Sequence, residues 1–251
     1  MLLFTFTIIA IVLGFIYFAA HYNFWRPVVS KLHPRILMYH SINDDIGNNH
    51  PNLVVTPENF RSQLVYLQKR GYQFLTMSEM ISSDYDSAPR VALTFDDGFQ
   101  DNHTEMFPLL KEFRAKATIY LCPDMPNIDK LTREQIQEMQ ASGLIEFGAH
   151  TMTHINLSQV SDENAIYEIT ESKKYVEKLT GRACPSFAYP FGRLNDRVAE
   201  SVEKAGFMSA VVVKKGIEAI SDKYRIKRLS ILRKTNLLQF HIAMTRGRYR
   251  V

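Results

Sequence analysis

Short apolar runs alternate with amphipathic helical patterns along most of this chain, and this alternation constrains the fold more than any other feature of the sequence. Residues 36–39 (ILMY) and 91–95 (VALTF) have the length and composition of buried strands. Between them, Thr56 and Pro57 begin a segment with apolar residues at helical spacing, which ends before Gly71. Strands separated by such helices are typical of repeated βαβ units, so we expect a mostly parallel sheet.

The same alternation continues towards the C-terminus and predicts a sheet that closes, or nearly closes, into a barrel. A chain of 251 residues is long enough for one such domain. In barrels of parallel strands, functional residues collect at the carboxyl ends of the strands. The predicted strands are residues 36–39, 91–95, 117–121, 145–147, 187–189, 208–213 and 226–231, and the predicted helices are residues 56–70, 102–114, 132–142, 161–180, 195–205 and 237–244.

The N-terminal segment, residues 2–20, carries no charged side chain. At about 1.5 Å per residue, a helix of this length covers most of the hydrocarbon core of a bilayer, so we predict an uncleaved transmembrane helix. A cleavable signal peptide is the alternative, but no Lys or Arg precedes the apolar stretch and Phe18 interrupts the small residues that a cleavage site needs. The predicted organisation is an anchor or uncleaved signal at residues 1–21, an interface linker at 22–34 and one main domain at 35–251.

Charge and cysteine content restrict the partners of the chain only in part. The net charge of +4 is mild, and no dense cluster of Lys and Arg is interleaved with aromatic residues, so nucleic acid is not an expected partner. Arg26, Lys31 and Arg35 follow the apolar segment, which favours retention of the next domain in the cytoplasm. Cys122 and Cys184 lack metal-ligand spacing and form either one disulfide or two free thiols.

Polar residues follow four of the predicted strands, at ends that should converge on one rim of the barrel. Each feature alone has a common structural explanation, because adjacent aspartates often cap helices and paired histidines are often only hydrogen-bonded imidazoles. Their convergence is what makes them candidates for a site. The residues concerned are His40, the pair Asp96 and Asp97 before Gly98, the pair His150 and His154, and the turn at residues 190–192 (PFG).

Together these side chains supply the complementary parts of a hydrolytic metal site. Two imidazoles four residues apart, His150 and His154, and one carboxylate make a His2Asp triad that leaves positions open for water and substrate. The second carboxylate of the Asp96–Asp97 pair can then accept a proton from a water next to the ion. The pattern therefore predicts a catalytic divalent metal.

At these residues the sequence resembles the polysaccharide deacetylase family, the carbohydrate esterases with a NodB-homology domain. Residues 94–98 (TFDDG) resemble the first motif of the family and residues 150–154 (HTMTH) its second. Residues 187–192 (FAYPFG) are similar to the third. Residues 36–40 (ILMYH), followed by 56–60 (TPENF), look like the branch that acts on poly-N-acetylglucosamine. The match covers roughly residues 35 to 232.

The resemblance implies a distorted, incompletely closed (β/α)7 barrel that hydrolyses N-acetyl groups of a polymer containing N-acetylglucosamine. By position in the motifs, Asp97, His150 and His154 would bind the metal ion, most often Zn²⁺, and Asp96 would be the general base. The backbone N–H of Phe191 would help to hold the oxyanion. A glycan substrate and a membrane reached through the N-terminal helix are the expected partners.

The sequence departs from the family pattern at three motifs. Ala188 replaces the arginine that orients the base, so that charge has to come from elsewhere, with Arg228 and Arg193 as candidates. The tryptophan of the fourth motif has no counterpart, and the general-acid histidine of the fifth motif has no clear match. His40 or His241 could protonate the leaving amine, and His40 is favoured because it follows a core strand.

The leading hypothesis is a membrane-anchored, metal-dependent N-deacetylase whose catalytic domain lies on the periplasmic or extracellular side. A polymeric substrate requires that side, against the preference of the basic residues after the apolar segment. A non-catalytic glycan-binding or assembly protein on the same scaffold is one alternative, suggested by the lost arginine and histidine. A deacylase of a lipid-linked sugar is another.

Overall fold

Parallel strands form a sheet that curls until it closes into a barrel of seven strands. The computed structural model describes residues 2–21, 25–47, 50–82 and 88–248. Part of the predicted linker, residues 22–24, lies outside them. The strands are β1 (Arg35–Tyr39), β2 (Ser41–Ile42), β3 (Val54–Val55), β4 (Gln73–Leu75), β5 (Arg90–Phe95), β6 (Ala117–Leu121), β7 (Ile145–Ala149), β8 (Ser186–Ala188), β9 (Ser209–Lys215) and β10 (Ile226–Ser230). Their order in the barrel is β1-β10-β9-β8-β7-β6-β5, and β5 pairs with β1 to close the ring. The short β4 lies beside the amino-terminal half of β5.

Closure of the barrel depends on the pairing of β1 with β5, which runs in register from Arg35↔Val91 to Tyr39↔Phe95. The pairing satisfies the main-chain groups of both strands along the seam. The (β/α)7 architecture is therefore confirmed, whereas the expectation that the barrel is incompletely closed is wrong. The pairing between neighbouring strands of the barrel is shortest between β7 and β8, which are aligned at Ala149↔Phe187.

Most of the helices lie outside the barrel, and several begin at capping residues that the sequence predicts. The Thr56 side chain accepts a hydrogen bond from the N–H of Asn59, and Thr132 forms a capping box with Gln135. Gly181 ends its helix in the left-handed conformation. The helices are α1 (Leu2–His21), α2 (Pro57–Lys69), α3 (Met77–Ser82), α4 (Phe107–Phe113), α5 (Arg133–Ala141), α6 (Asp162–Thr180), α7 (Asp196–Lys204) and α8 (Leu237–Arg246).

The helix predicted over roughly residues 102–114 is confirmed, but its hydrogen-bond pattern changes along its length. Asn102–Met106 form a wider π-helical turn, and α4 continues directly from Phe107. Pro108 lies in the first turn of α4 and has no N–H to donate to the preceding turn, which accounts for the change of pattern.

The amino end of the barrel is plugged by α3, an element that the sequence analysis missed together with β4. Met77 and Met80 of α3 pack into the barrel core with Ile36, Tyr120 and other apolar side chains of the strands. The N–H of Met77 donates to Thr118 Oγ1 at 2.9 Å, which fixes the plug to β6. A plugged amino end directs ligand access to the carboxyl-terminal rim.

The structure bears on two further predictions, the pairing of the cysteines and the N-terminal membrane helix. Cys122 and Cys184 are buried free thiols, so the disulfide alternative is wrong. The N-terminal helix α1 exposes large apolar side chains, from Phe4 at 72% to Phe18 at 40%. Within the part of the chain that the structure describes, no helix combines the length and the apolar character needed to cross a membrane, so the predicted transmembrane helix is not supported.

Candidate metal centre

Three buried or half-buried side chains converge at the carboxyl-terminal rim. Asp97 follows β5, and His150 and His154 follow β7, with β6 between the two strands. Asp97 Oδ1 lies 3.5 Å from His150 Nε2 and 3.6 Å from His154 Nε2. All three donor atoms lie within 4.8 Å of one another, so one cation could contact them all.

Around this centre the backbone adopts left-handed conformations, which residues other than glycine rarely adopt. Asp97 has φ 76°, Thr151 63°, His154 56° and Phe191 58°. Left-handed backbone costs roughly 1–2 kcal/mol at each such residue, and it persists only where the surroundings enforce it. Gly98 continues the turn with φ 77°, and a Cβ there would lie 2.8 Å from Leu121 Cδ2. The glycine of the DDG sequence is thus needed for its conformation, and a larger residue would also have to displace the end of the Leu121 side chain.

The two histidines of this candidate centre lie beside Asp97 with neutral rings. His150 Nδ1 lies 2.7 Å from the carbonyl oxygen of Ala188, which can only accept, so Nδ1 carries the proton and Nε2 has a free lone pair. Burial, partly offset by the charge of Asp96, lowers the pKa of His150 to about 3. Burial also lowers the pKa of His154.

The carboxyl of Asp97 is poised for a cation. Burial, and then the negative charge of Asp96, raise the pKa of Asp97 to about 8. Among the described residues its buried Oδ1 has no hydrogen-bond partner, and the neighbouring imidazoles are neutral and offer no ion pair. An unpaired buried oxygen next to two neutral imidazole rings fits a divalent metal ion of the zinc type.

Asp96 is held by an arginine from β10, which is separated from β5 by β1 in the barrel. Arg228 of β10 donates from Nη1 to Asp96 Oδ1 at 2.6 Å and from Nη2 to Oδ2 at 2.7 Å. The guanidinium is fully buried and is itself positioned by Thr94 Oγ1 at 3.0 Å and the Val212 carbonyl at 3.2 Å. Of the two arginines proposed from the sequence, Arg228 takes this position, whereas Arg193 is exposed.

The clamp reverses the effect of burial on Asp96. Burial alone would raise the pKa of this carboxyl, but the charge and hydrogen bonds of Arg228 outweigh it and hold the pKa well below its usual range. Asp96 is therefore a carboxylate at neutral pH. Each of its oxygens accepts one bond from Arg228 and retains a second lone pair for another donor.

His40 and His241, the two candidates for a general acid, lie in different parts of the molecule. His40 follows β1 at the rim, where its imidazole interacts electrostatically with Asp96 and Arg228. Burial lowers its pKa to about 4, which keeps the ring neutral at pH 7. His241 lies in α8, with Nδ1 2.7 Å from the hydroxyl of Tyr66 in α2, so it belongs to the outer helical layer.

Phe191 lies beside the candidate ligands in the tight turn after β8. Its ring packs edge-on against His154 with 4.6 Å between centroids, and the side chain is 56% exposed. Gly192 follows with φ 64°, and a Cβ there would lie 2.5 Å from the backbone nitrogen of Val213. The close approach of β9 thus fixes the turn that carries Phe191.

Two residues that support this site were not predicted from the sequence. Thr94 lies inside the TFDDG sequence and positions Arg228. Glu168 of α6 is buried and bonds to the loop between the histidines. The signal for Glu168 was available, because it falls on the same helical face as Ala165, Ile169 and Val176, and an acidic residue on an apolar face needs a partner.

The family model for polysaccharide deacetylases matches residues 84–210, just over half of the chain, and this segment contains Asp96, Asp97, His150 and His154. The chain therefore belongs to the polysaccharide deacetylase family.

Three relatives illustrate the similarity. YxkH of Bacillus subtilis, which bears a provisional polysaccharide deacetylase name, is 33% identical over 186 residues, 72% of this chain and 64% of YxkH, so the match spans less than two thirds of that relative. The poly-beta-1,6-N-acetyl-D-glucosamine N-deacetylase of Staphylococcus epidermidis is 29% identical over 198 residues, 72% of this chain and 68% of the relative. The structure of Streptococcus pyogenes deacetylase PplD in complex with acetate has a TM-score of 0.76 at 28% identity, covering 86% of this chain and 99% of PplD.

Proposed function

We propose that this protein is a metal-dependent hydrolase that removes N-acetyl groups from a polysaccharide containing N-acetylglucosamine. The observation that carries the proposal is the Asp97–His150–His154 centre next to a carboxylate, Asp96, that Arg228 keeps ionised. The Staphylococcus epidermidis relative is named for this reaction, and the PplD structure is in complex with acetate, the acid that such a reaction releases.

Asp97, His150 and His154 would hold the ion, and their two nitrogens and one oxygen suit Zn²⁺ best. When bound, a divalent ion supplies Lewis acidity, which polarises an acetamide carbonyl and lowers the pKa of a nearby water. The N–H of Phe191 is the group on this chain that we assign to the carbonyl oxygen as it becomes negative.

Asp96 is assigned as the general base. Its free lone pairs accept the proton of the attacking water, while the two bonds to Arg228 keep the carboxylate oriented. His40 is neutral at pH 7 and is assigned as a proton relay: it receives the proton that Asp96 has taken from the water and passes it to the leaving nitrogen. Because burial lowers the pKa of His40 to about 4, the ring is a strong acid once it has been protonated. The balance is one water and one acetamide consumed, and one acetate and one free amine formed.

Asp96→Asn tests the assignment of the base. We expect acetate release from poly-N-acetylglucosamine fragments to be lost while elemental analysis still finds the metal, because Asp97 and both histidines remain. The matched control is Asp196→Asn, which changes an aspartate whose side chain is 96% exposed and should leave activity unchanged. Full activity in Asp96→Asn would refute the role of this carboxylate.

The substrate is tested by acetate release from poly-N-acetylglucosamine, peptidoglycan and chitin fragments and from a lipid-linked N-acetylated sugar, each with and without chelator. We expect polymer fragments to be the better substrates and chelator to stop the reaction. An inert, metal-free protein that still binds these glycans would favour the binding or assembly alternative. The absence of an arginine at position 188 was one reason to consider that alternative. Arg228 supplies the missing charge by donating to Asp96, so this reason no longer favours it.

We propose that the catalytic domain faces the periplasm or the extracellular space, because the proposed polymer is found there. Arg26 and Lys31, after the apolar N-terminal segment, argue for the opposite orientation. A reporter fused to the C-terminus that is active only outside the cytoplasm would support the proposal, and a reporter active only inside would refute it.

A further inference from the structure

A buried glutamate lies behind the loop that carries both histidine ligands. Glu168 belongs to α6, is 4% exposed and does not contact the candidate ligands through any bond of its own. A buried carboxylate is unfavourable unless donors surround it, so the partners of Glu168 define its role.

Within the described residues, Glu168 makes three hydrogen bonds, and they go to two consecutive residues midway between the histidines. Glu168 Oε2 accepts from the N–H of Met152 at 2.7 Å and from the N–H of Thr153 at 3.0 Å. Glu168 Oε1 accepts from the hydroxyl of Thr153 at 2.7 Å. Hydrogen bonds to a charged group are stronger than neutral ones, so the carboxylate fixes the middle of the loop to α6.

The loop needs this support because its conformation is unfavourable in isolation. Thr151 and His154 both have left-handed backbone. The Thr151 hydroxyl ties the two ends of the loop, since it donates to the carbonyl of His150 at 2.5 Å and accepts from the N–H of His154 at 3.0 Å. Thr151 therefore sets the ends of the loop, and Glu168 sets its centre.

We propose that Glu168 is a positioning residue that fixes the spacing of His150 and His154 and thereby sets the affinity of the centre for its metal ion. The inference rests on the proposed function only in that the three-ligand centre binds an ion. Glu168 acts through the loop and touches neither the ion nor the substrate. Its loss would remove the acceptor of two part-buried N–H groups and release the strained backbone.

Glu168→Ala and Glu168→Gln separate positioning from simple burial. The alanine removes every bond, and we expect the affinity for Zn²⁺ to fall by about 10–100-fold, the effect typical of groups that orient metal ligands. The glutamine keeps one oxygen for both N–H groups and an amide that can donate to the Thr153 hydroxyl, so it should restore most of the affinity. Competition with a chromophoric chelator measures all three proteins.

Glu171→Ala is the matched control, since this glutamate lies one turn further along α6 and pairs with Lys174 at the surface. It should bind Zn²⁺ as the unmodified protein does. The absorption spectrum of the Co²⁺-loaded protein supplies a second readout, because it reports ligand geometry and a purely structural role would not change it. We expect the spectrum to change in Glu168→Ala and to be preserved in Glu168→Gln.

Unchanged Zn²⁺ affinity and an unchanged Co²⁺ spectrum in Glu168→Ala would overturn the inference. If that variant does not fold, Glu168→Asp takes its place: it keeps the charge but is one carbon too short for the loop, and normal affinity there is equally contradictory. The proposed function fails separately, if the unmodified protein binds Zn²⁺ but releases no acetate.

Discussion

Asp96 and Asp97 are neighbours in the chain, yet their carboxyl groups are shifted in opposite directions. Arg228 holds the pKa of Asp96 well below its usual range, whereas burial and the charge of Asp96 raise the pKa of Asp97 to about 8. The left-handed backbone at Asp97 turns the second carboxyl away from the guanidinium and towards the histidines. Two adjacent residues of one type thus suit two different roles, a base and a ligand.

The shifted pKa of Asp97 predicts that metal binding releases a proton. At pH 7 the ion-free carboxyl is mostly protonated, while His150, with a pKa of about 3, has no proton to lose from Nε2. Binding of Zn²⁺ should therefore release about one proton at pH 7 and progressively less above pH 8. Titration calorimetry in buffers of different ionisation enthalpy measures this number.

Asp97→Asn is the control for the released proton, since it should bind weakly and release none. A proton count that does not change between pH 6.5 and pH 9 would contradict the assignment to Asp97.

Replacement of Arg228 tests what keeps Asp96 ionised. In Arg228→Met, burial is no longer opposed, so the pKa of Asp96 should rise and the acidic limb of the pH–rate profile should move to higher pH. Loss of one partner of a buried ion pair also costs roughly 3–5 kcal/mol of unfolding free energy. Urea denaturation and the pH dependence of kcat/KM measure the two effects.

Arg225→Met provides the comparison, because Arg225 precedes the same strand but pairs with Asp196 and Asp222 at the surface. It should change neither the pH profile nor, by more than about 1 kcal/mol, the stability. An unshifted acidic limb in Arg228→Met would show that another group controls Asp96.

At the scale of the elements, the site is built from short segments that leave the strands in unusual conformations. The turn after β8 depends on Gly192, whose missing side chain lets the backbone of β9 approach. The loop after β7 depends on Thr151 and Glu168. These segments are short and constrained by neighbouring elements, which suits a preorganised site.

Gly192→Ala should disrupt the turn far more than an ordinary glycine replacement. The new Cβ would lie 2.5 Å from the backbone nitrogen of Val213, which cannot move aside without displacing β9. We expect a loss of several kcal/mol of unfolding free energy, together with a fall in kcat/KM because Phe191 moves. Chemical denaturation and acetate release are the measurements.

Gly181→Ala isolates the steric part of that effect. Gly181 also has a positive φ, but a Cβ there meets nothing within 4 Å. Its replacement should cost only about 1–2 kcal/mol and leave kcat/KM unchanged. Equal losses in the two variants would mean that backbone conformation, and not contact with β9, explains the glycine at 192.

At the scale of the whole molecule, the site couples distant parts of the barrel. The candidate ligands come from the ends of β5 and β7, and the guanidinium that holds Asp96 comes from β10. The pairing of β1 with β5 closes the ring that brings these ends together. An ion held by this centre would therefore bind the folded chain and not the unfolded one.

This coupling predicts that divalent metal raises the thermal stability of the whole domain. At a free Zn²⁺ concentration about 100 times Kd, the folded state should gain about 2.7 kcal/mol, a rise of several degrees in Tm. Scanning calorimetry with Zn²⁺ and with chelator measures the difference. In His154→Gln the rise should be much reduced, and an equal rise in both proteins would place the ion elsewhere.

Local patterns in the sequence were sufficient for most elements. Caps at Thr56 and Thr132, and Gly181 after α6, lie where the sequence placed them, because capping depends on residues three or four apart. The convergence of Asp97, His150 and His154 also followed, since parallel strands present their carboxyl ends on one rim. The short β4 and α3 were missed because three to six residues carry too little periodicity.

By itself, then, the sequence determined most of the strands and helices, the residues at the strand ends and the family. Only the tertiary structure decided that the ring closes through β1 and β5, that Arg228 clamps Asp96 from 132 residues away, and that Glu168 supports the histidine loop. The physical reason is range. Caps and periodicity depend on neighbours in the chain, whereas a buried ion pair depends on which side chains packing brings together.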